Sequence, residues 1–253
     1  MLSKAHLPAK TVRFARKTSR VAGIGRWLAA SVGLVFAYLA YGHLTLPDVR
    51  SLARTNPTRT AFMEIRQAEA RAAGTTPHVN QRWVTYNRIA STLKRAVLVA
   101  EDAAFWQHDG VDYDELQRSI QLDWARGQLV RGASTITQQL AKNLYLSPSK
   151  NPHRKLRELV IARRLEVELT KTRILEIYLN VIEWGDGIYG VEAASQTYFK
   201  TASANLDAST AALLAGAIIN PRVLNPARPT ARLLRRQQLI LRRMGTVSPP
   251  ELH

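Results

Sequence analysis

The chain has no cysteine. That excludes disulfides, thiol nucleophiles and thiolate-bound metals, but it leaves the compartment open, since many envelope proteins also lack disulfides. Acidic residues are missing from the first 47 positions, which carry seven basic ones: Lys4, Lys10, Arg13, Arg16, Lys17, Arg20 and Arg26. From Trp27 to Pro47 charge of either sign is missing, His43 aside. Alternating strand-like runs are scarce, and there are no repeats or low-complexity tracts. With 46% hydrophobic and 22% charged residues, the chain folds rather than staying disordered, and its 253 residues hold one domain or at most two small ones. These absences leave a mainly α class.

The formal net charge is +17. Beyond the basic tail, 29 Lys and Arg face 19 Asp and Glu, a net +10. The folded part should therefore prefer anionic partners, and charge alone leaves phosphates, nucleic acid and an anionic membrane surface open. The uncharged stretch of about 20 residues is long enough to cross a bilayer. Trp27 and Tyr41 suit its two interfaces, and a signal peptide would have a shorter apolar region. Positive charge before it and none just after orients the N-terminus to the cytoplasm. This divides the chain into a cytoplasmic basic tail (1–26), a transmembrane helix (27–46), a connector (47–87), a folded domain (88–230) and a basic C-terminal helix and tail (231–253).

Helical patterns are expected over 60–73, 88–101, 112–126, 134–146, 152–169, 171–184, 191–199, 207–219 and 230–244, punctuated by Gly and Pro. Trp83-Val84-Thr85-Tyr86 could form a short strand. Arginines and leucines of 228–243 could lie on an anionic surface or form a solvated basic face.

Glu101 follows the apolar run Ala96-Val97-Leu98-Val99, and Asp102 beside it is short enough to brace the local turn. A carboxylate at the rim of an apolar helix can be a general base, because partial desolvation raises its proton affinity; it can also be an ordinary charged helix end. Further on, Ser134 can cap a helix on which Thr135, Gln138, Gln139 and Lys142 share one face. Such a stripe suits sugars and phosphates, or a solvated surface. Lys142, Lys150, Arg154 and Lys155 then bring four cations near Glu158. They suit a departing diphosphate, or ordinary helix salt bridging. The stretches 171–180 and 187–200 read as scaffold, with Asn180 a supporting donor.

Together these stretches resemble the peptidoglycan glycosyltransferase family, glycosyltransferase family 51. Glu-Asp-x-x-Phe-x-x-His-x-Gly is met by Glu101 to Gly110, and Gly-x-Ser-Thr-x-Thr-Gln-Gln by Gly132 to Gln139. Arg-Lys-x-x-Glu is met by Arg154 to Glu158, and Lys-x-x-Ile-Leu-x-x-Tyr-Leu-Asn by Lys171 to Asn180. Ending at His253, the chain is similar to the monofunctional biosynthetic members, so transpeptidation is not expected.

The resemblance implies a mainly α, lysozyme-like glycosyltransferase domain with a small jaw subdomain, preceded by one transmembrane helix. The implied reaction polymerises lipid II into β-1,4 glycan strands, with inversion and release of undecaprenyl diphosphate. Glu101 would take the proton of the acceptor hydroxyl. Glu158 would assist diphosphate departure, directly or through a divalent cation (Mg or Mn); no organic cofactor is expected. Lys142 and Lys150 would contact the diphosphate, while Ser134, Thr135, Gln138, Gln139, Arg154 and Lys155 would line the substrate cleft. The implied partners are lipid II, the growing strand, membrane lipids and cell-wall synthesis proteins, with nucleic acid set aside. The implied location is the inner membrane, with the catalytic domain outside the cytoplasm.

Overall fold

The computed structural model describes residues 15–126, 134–149 and 151–246. The chain divides after Leu46 into two compact units. The first contains α1 (Ala15–Leu44), 30 residues that run through the uncharged stretch and extend into the basic segment before it. Trp27, Val32, Leu34, Phe36 and Tyr41 are strongly exposed along it. Among the described residues no helix is long and apolar enough to cross a membrane.

The second unit is mainly helical. Its elements are α2 (Ala61–Ala72), α3 (Ser91–Glu101), α4 (Tyr113–Arg126), α5 (Ile136–Tyr145), α6 (Pro152–Glu168), α7 (Lys171–Val181), α8 (Val191–Phe199), α9 (Ala208–Ala217) and α10 (Ala231–Arg243). Polar side chains set most starts. Thr60, Thr135, Asn151, Thr170, Asp207 and Thr230 each accept a backbone N–H of the first turn, supplying partners for otherwise orphaned donors. The cap of α5 is thus Thr135, one residue later than the expected Ser134.

Two sequence expectations are corrected. The helix beginning at Lys171 stops at Val181 rather than Trp184. Its last residues enter β2 (Glu183–Gly185), which turns through Asp186-Gly187 into β3 (Ile188–Tyr189). An Asp-Gly pair closing a hairpin is a stronger signal than one ending a helix. Second, Trp83–Tyr86 is not a strand. β1 is Asn80–Gln81, parallel to β3, giving the order β1-β3-β2. Val84 instead pairs with a side chain: its N–H donates to Asn180 Oδ1 at 2.8 Å, and its carbonyl accepts from Asn180 Nδ2 at 2.9 Å.

α3, α9 and α10 pack together, and α5 packs on α6 and α7. Leu93, Val97, Leu98, Ile136, Leu140, Ile161, Leu165, Ile174 and Leu175 are fully buried between these helices. That core fixes the C-terminus of α3 and the N-terminus of α5, the two ends that carry the site.

Candidate active site

Glu101 is the last residue of α3. Its side chain is only 12% exposed, yet it borders a cavity of about 490 Å³ that Ser134, Thr135, Gln107, Arg118 and Arg243 also line. Gln139 Nε2 donates to Glu101 Oε2 at 2.9 Å, and Tyr178 Oη donates to Gln139 Oε1 at 2.9 Å. Arg236 of α10 approaches the other oxygen, Oε1, at 3.3 Å. Burial raises the Glu101 carboxyl's pKa; the Gln139 hydrogen bond and the charges of Arg236 and Lys142 oppose that rise, and Asp102 adds to it. The result is a carboxylate oriented by two neighbours and held on the basic side of its ordinary range.

The rest of the first motif builds the site rather than facing it. Asp102 Oδ2 accepts the backbone N–H of Ile136 at 2.9 Å, at the N-terminus of α5. Its backbone partner is therefore 34 residues away, and within the local turn it pairs with the His108 side chain instead. His108 Nε2 lies 2.9 Å from Asp102 Oδ1, and His108 Nδ1 accepts from Gly110 N at 3.2 Å. The proton accordingly sits on Nε2. Gly110 O in turn accepts from Thr135 Oγ1 at 2.7 Å and Gln138 Nε2 at 3.2 Å. Asp102, His108 and Gly110 thus clamp the start of α5 beside the end of α3. Asp102, His108 and Asp112 bring potential ligand atoms within 4.8 Å of one another. Asp102 is already engaged by His108 and the Ile136 amide, so this cluster serves as a brace.

The stripe on α5 lies mostly inside. Thr135 and Gln138 are buried, while Gln139 and Lys142 are partly so. Each amide has a defined partner, which removes the objection to burying it. Gln138 Oε1 accepts from Lys155 Nζ at 3.0 Å, and Lys155 Nζ also reaches Ser134 Oγ at 3.1 Å. Lys155 and Arg154 hold the two oxygens of Glu158, whose side chain is 4% exposed. Lys142 lies 5.5 Å from the centre of the Phe62 ring. Burial lowers its pKa, Arg154 and Lys155 add to that, and Glu158 and Glu101 oppose it. Lys142 therefore feels both carboxylates. Adjacent Gln138 and Gln139 serve the Glu158 side and the Glu101 side respectively.

Of the expected residues, Glu101, Ser134 and Thr135 border the cavity. Gln138, Arg154, Lys155 and Glu158 form a bonded polar group that reaches the cavity wall through Ser134, while Gln139 bonds Glu101 and Lys142 lies within electrostatic reach of both carboxylates. Lys150 lies outside the described residues. Both Glu158 oxygens face cationic nitrogens, an environment that repels a divalent cation, so the residues present do not fit a metal there. Sequence reasoning missed two members. Tyr178 read as scaffold, and Arg236 read as one arginine of a surface helix.

The family profile described as transglycosylase matches residues 68–245. The chain belongs to the transglycosylase family. The match runs from within α2 through α10. This transglycosylase is 42% identical to the biosynthetic peptidoglycan transglycosylase of Dechloromonas aromatica over 228 residues, 90% of this chain and 99% of that protein. It is 44% identical to the one from Thiobacillus denitrificans over 227 residues, 90% and 97% of the two chains. For that of Laribacter hongkongensis the identity is 41% over 226 residues, 89% and 99%.

Proposed function

We propose that the enzyme is a peptidoglycan glycosyltransferase that polymerises lipid II into β-1,4 glycan strands and releases undecaprenyl diphosphate. The observation that carries this is Glu101, a desolvated carboxylate on a cavity wall, with Lys142, Arg154 and Lys155 grouped behind it. In the proposed step Glu101 takes the proton from the acceptor sugar hydroxyl as its oxygen attacks the donor anomeric carbon. The bond from that carbon to phosphate breaks, and the electron pair leaves with the diphosphate. Lys142, Arg154 and Lys155 receive the growing negative charge. Glu158 keeps Arg154 and Lys155 in place before the donor arrives. Attack opposite the leaving group inverts the anomeric centre. No step is routed through a divalent cation.

The reading is of glycosyl transfer alone, because the relatives match over 97–99% of their own length and are named for that activity. It includes a lysozyme-like lobe, a jaw built on residues 47–87, and a membrane anchor over residues 27–46 with the catalytic unit outside the cytoplasm. Exposed Trp27, Leu34, Phe36 and Tyr41 support that placement, since such a row calls for an apolar surrounding. A lipid-linked donor suits an enzyme held at the same surface.

A hydrolase that cleaves finished glycan would need a protonated acid at Glu101. The burial-raised pKa of Glu101 would serve an acid or a base; Lys142, Arg154 and Lys155 favour transfer from a diphosphate, because a departing sugar needs a proton rather than positive charge. The test offers lipid II and purified wall separately. Polymer from lipid II is expected; soluble fragments from wall with no polymer would establish the hydrolase.

A further inference from the structure

We propose that Arg236, on the C-terminal helix, is a positioning residue that aims Glu101 and stabilises its negative charge. The inference rests on Glu101 being the base.

Three features place the guanidinium there. Leu233 and Ile240 are buried on one face of α10. Gln237, between them, donates to Ser209 O at 3.0 Å and Ser209 Oγ at 2.9 Å on α9, which fixes the rotation of α10. Gly216 on α9 lets the helices close: a Cβ there would lie 3.0 Å from Leu233 Cδ1 and 3.6 Å from Arg236 Cγ. With rotation and approach fixed, Arg236 is directed at the end of α3. Of the five arginines of α10, Arg232, Arg235, Arg242 and Arg243 are exposed and Arg236 is not.

The partner needs such a neighbour. Glu101 sits at a helix C-terminus, where unpaired carbonyls disfavour negative charge. Arg236 Nη2 lies 3.5 Å from the Ala100 carbonyl and 3.3 Å from Glu101 Oε1, so one cation meets both. An exposed ion pair would be worth little; this carboxylate is desolvated, and removing its partner leaves a charge that water cannot fully serve. The other groups facing Glu101 are Lys142 from α5, Tyr178 from α7 and adjacent Asp102. Around the cavity stand Asp112, Glu115, Arg118 and Arg243.

The test measures lipid II polymerisation against pH for Arg236→Met, Arg236→Lys and the exposed neighbour Arg235→Gln. Methionine keeps an unbranched stem against Gly216 and removes the charge. Arg236→Met is expected to lose about tenfold or more on the acid limb, narrowing as pH rises. Arg236→Lys should recover most of that loss, and Arg235→Gln should leave the profile in place. A uniform loss with an unmoved acid limb would overturn the proposal, as would a lysine variant as impaired as methionine. If Arg236→Met fails to fold, the lysine variant decides: a limb near wild type supports the role, and a pH-independent fall sinks it. Glu101→Gln separates the two ideas. Wild-type turnover by that variant would remove the base itself, whereas a strongly impaired Glu101→Gln beside an unmoved Arg236→Met limb removes only the inference.

Discussion

Glu101 answers two opposed demands, ionisation for catalysis and burial for exclusion of water. Burial raises its pKa above that in the unfolded chain, so ionisation opposes folding. That destabilisation is absent below the unfolded pKa and complete above the folded one. Glu101→Gln, with no charge to bury, should therefore melt higher than wild type at neutral pH, with the gap closing as the pH falls. Its turnover should fall by about 10²–10⁴-fold, the usual contribution of a general base. A thermal melt across pH, paired with a polymerisation rate, checks both. Lys142→Ala should weaken donor use, seen as a raised KM for lipid II, more than Arg242→Ala does; equal effects would remove Lys142 from the diphosphate site. The two carboxylates were legible because motif spacing exposes them. Arg236 was not, because it lies 135 positions from Glu101 and its helix reads as uniformly basic. The cap at Thr135 was off by one because Ser134 and Thr135 both offer a capping hydroxyl.

At the scale of elements, the site depends on joints between helices. Gly190, which precedes α8, has φ +80°, and a Cβ there would lie 2.7 Å from Asn180 O. Asn180 is the residue that pairs with Val84, so the joint ties the connector to α7 and α8. Gly190→Ala is expected to destabilise the fold by about 2 kcal/mol or more, lowering Tm by roughly 4–8 °C. An unchanged melt would show that the backbone there relaxes freely. Thr135→Val removes both the α5 cap and the donor to Gly110 while keeping the shape. It should cost about 1 kcal/mol and reduce turnover through Gln139. The helices were readable because their caps and apolar faces are local. The sheet was not: its strands are two or three residues long, and β1 and β3 are more than 100 positions apart. Asn180 replaces a strand partner for Val84, which no alternating pattern announces.

Across the whole molecule, charge and apolar surface point the same way. α10 buries Leu233, Gln237 and Ile240 and leaves Arg232, Arg235, Arg242, Leu234 and Leu239 outward. A basic face with apolar residues was visible in the sequence; that its inner edge serves Glu101 required the packing of α10 on α9 and α3. Removing residues 1–46 should leave the second unit folded and able to polymerise lipid II in detergent, while its sedimentation with anionic vesicles falls sharply. Retained sedimentation would shift membrane attachment from α1 to the second unit. The central claim is that a base at Glu101 drives glycosyl transfer from a lipid diphosphate. The most direct measurement incubates wild type and Glu101→Gln with lipid II and resolves the glycan products by length. The account predicts polymer from wild type and, at matched times, about 100-fold less or lower still from the folded variant; equal polymer from both would contradict it.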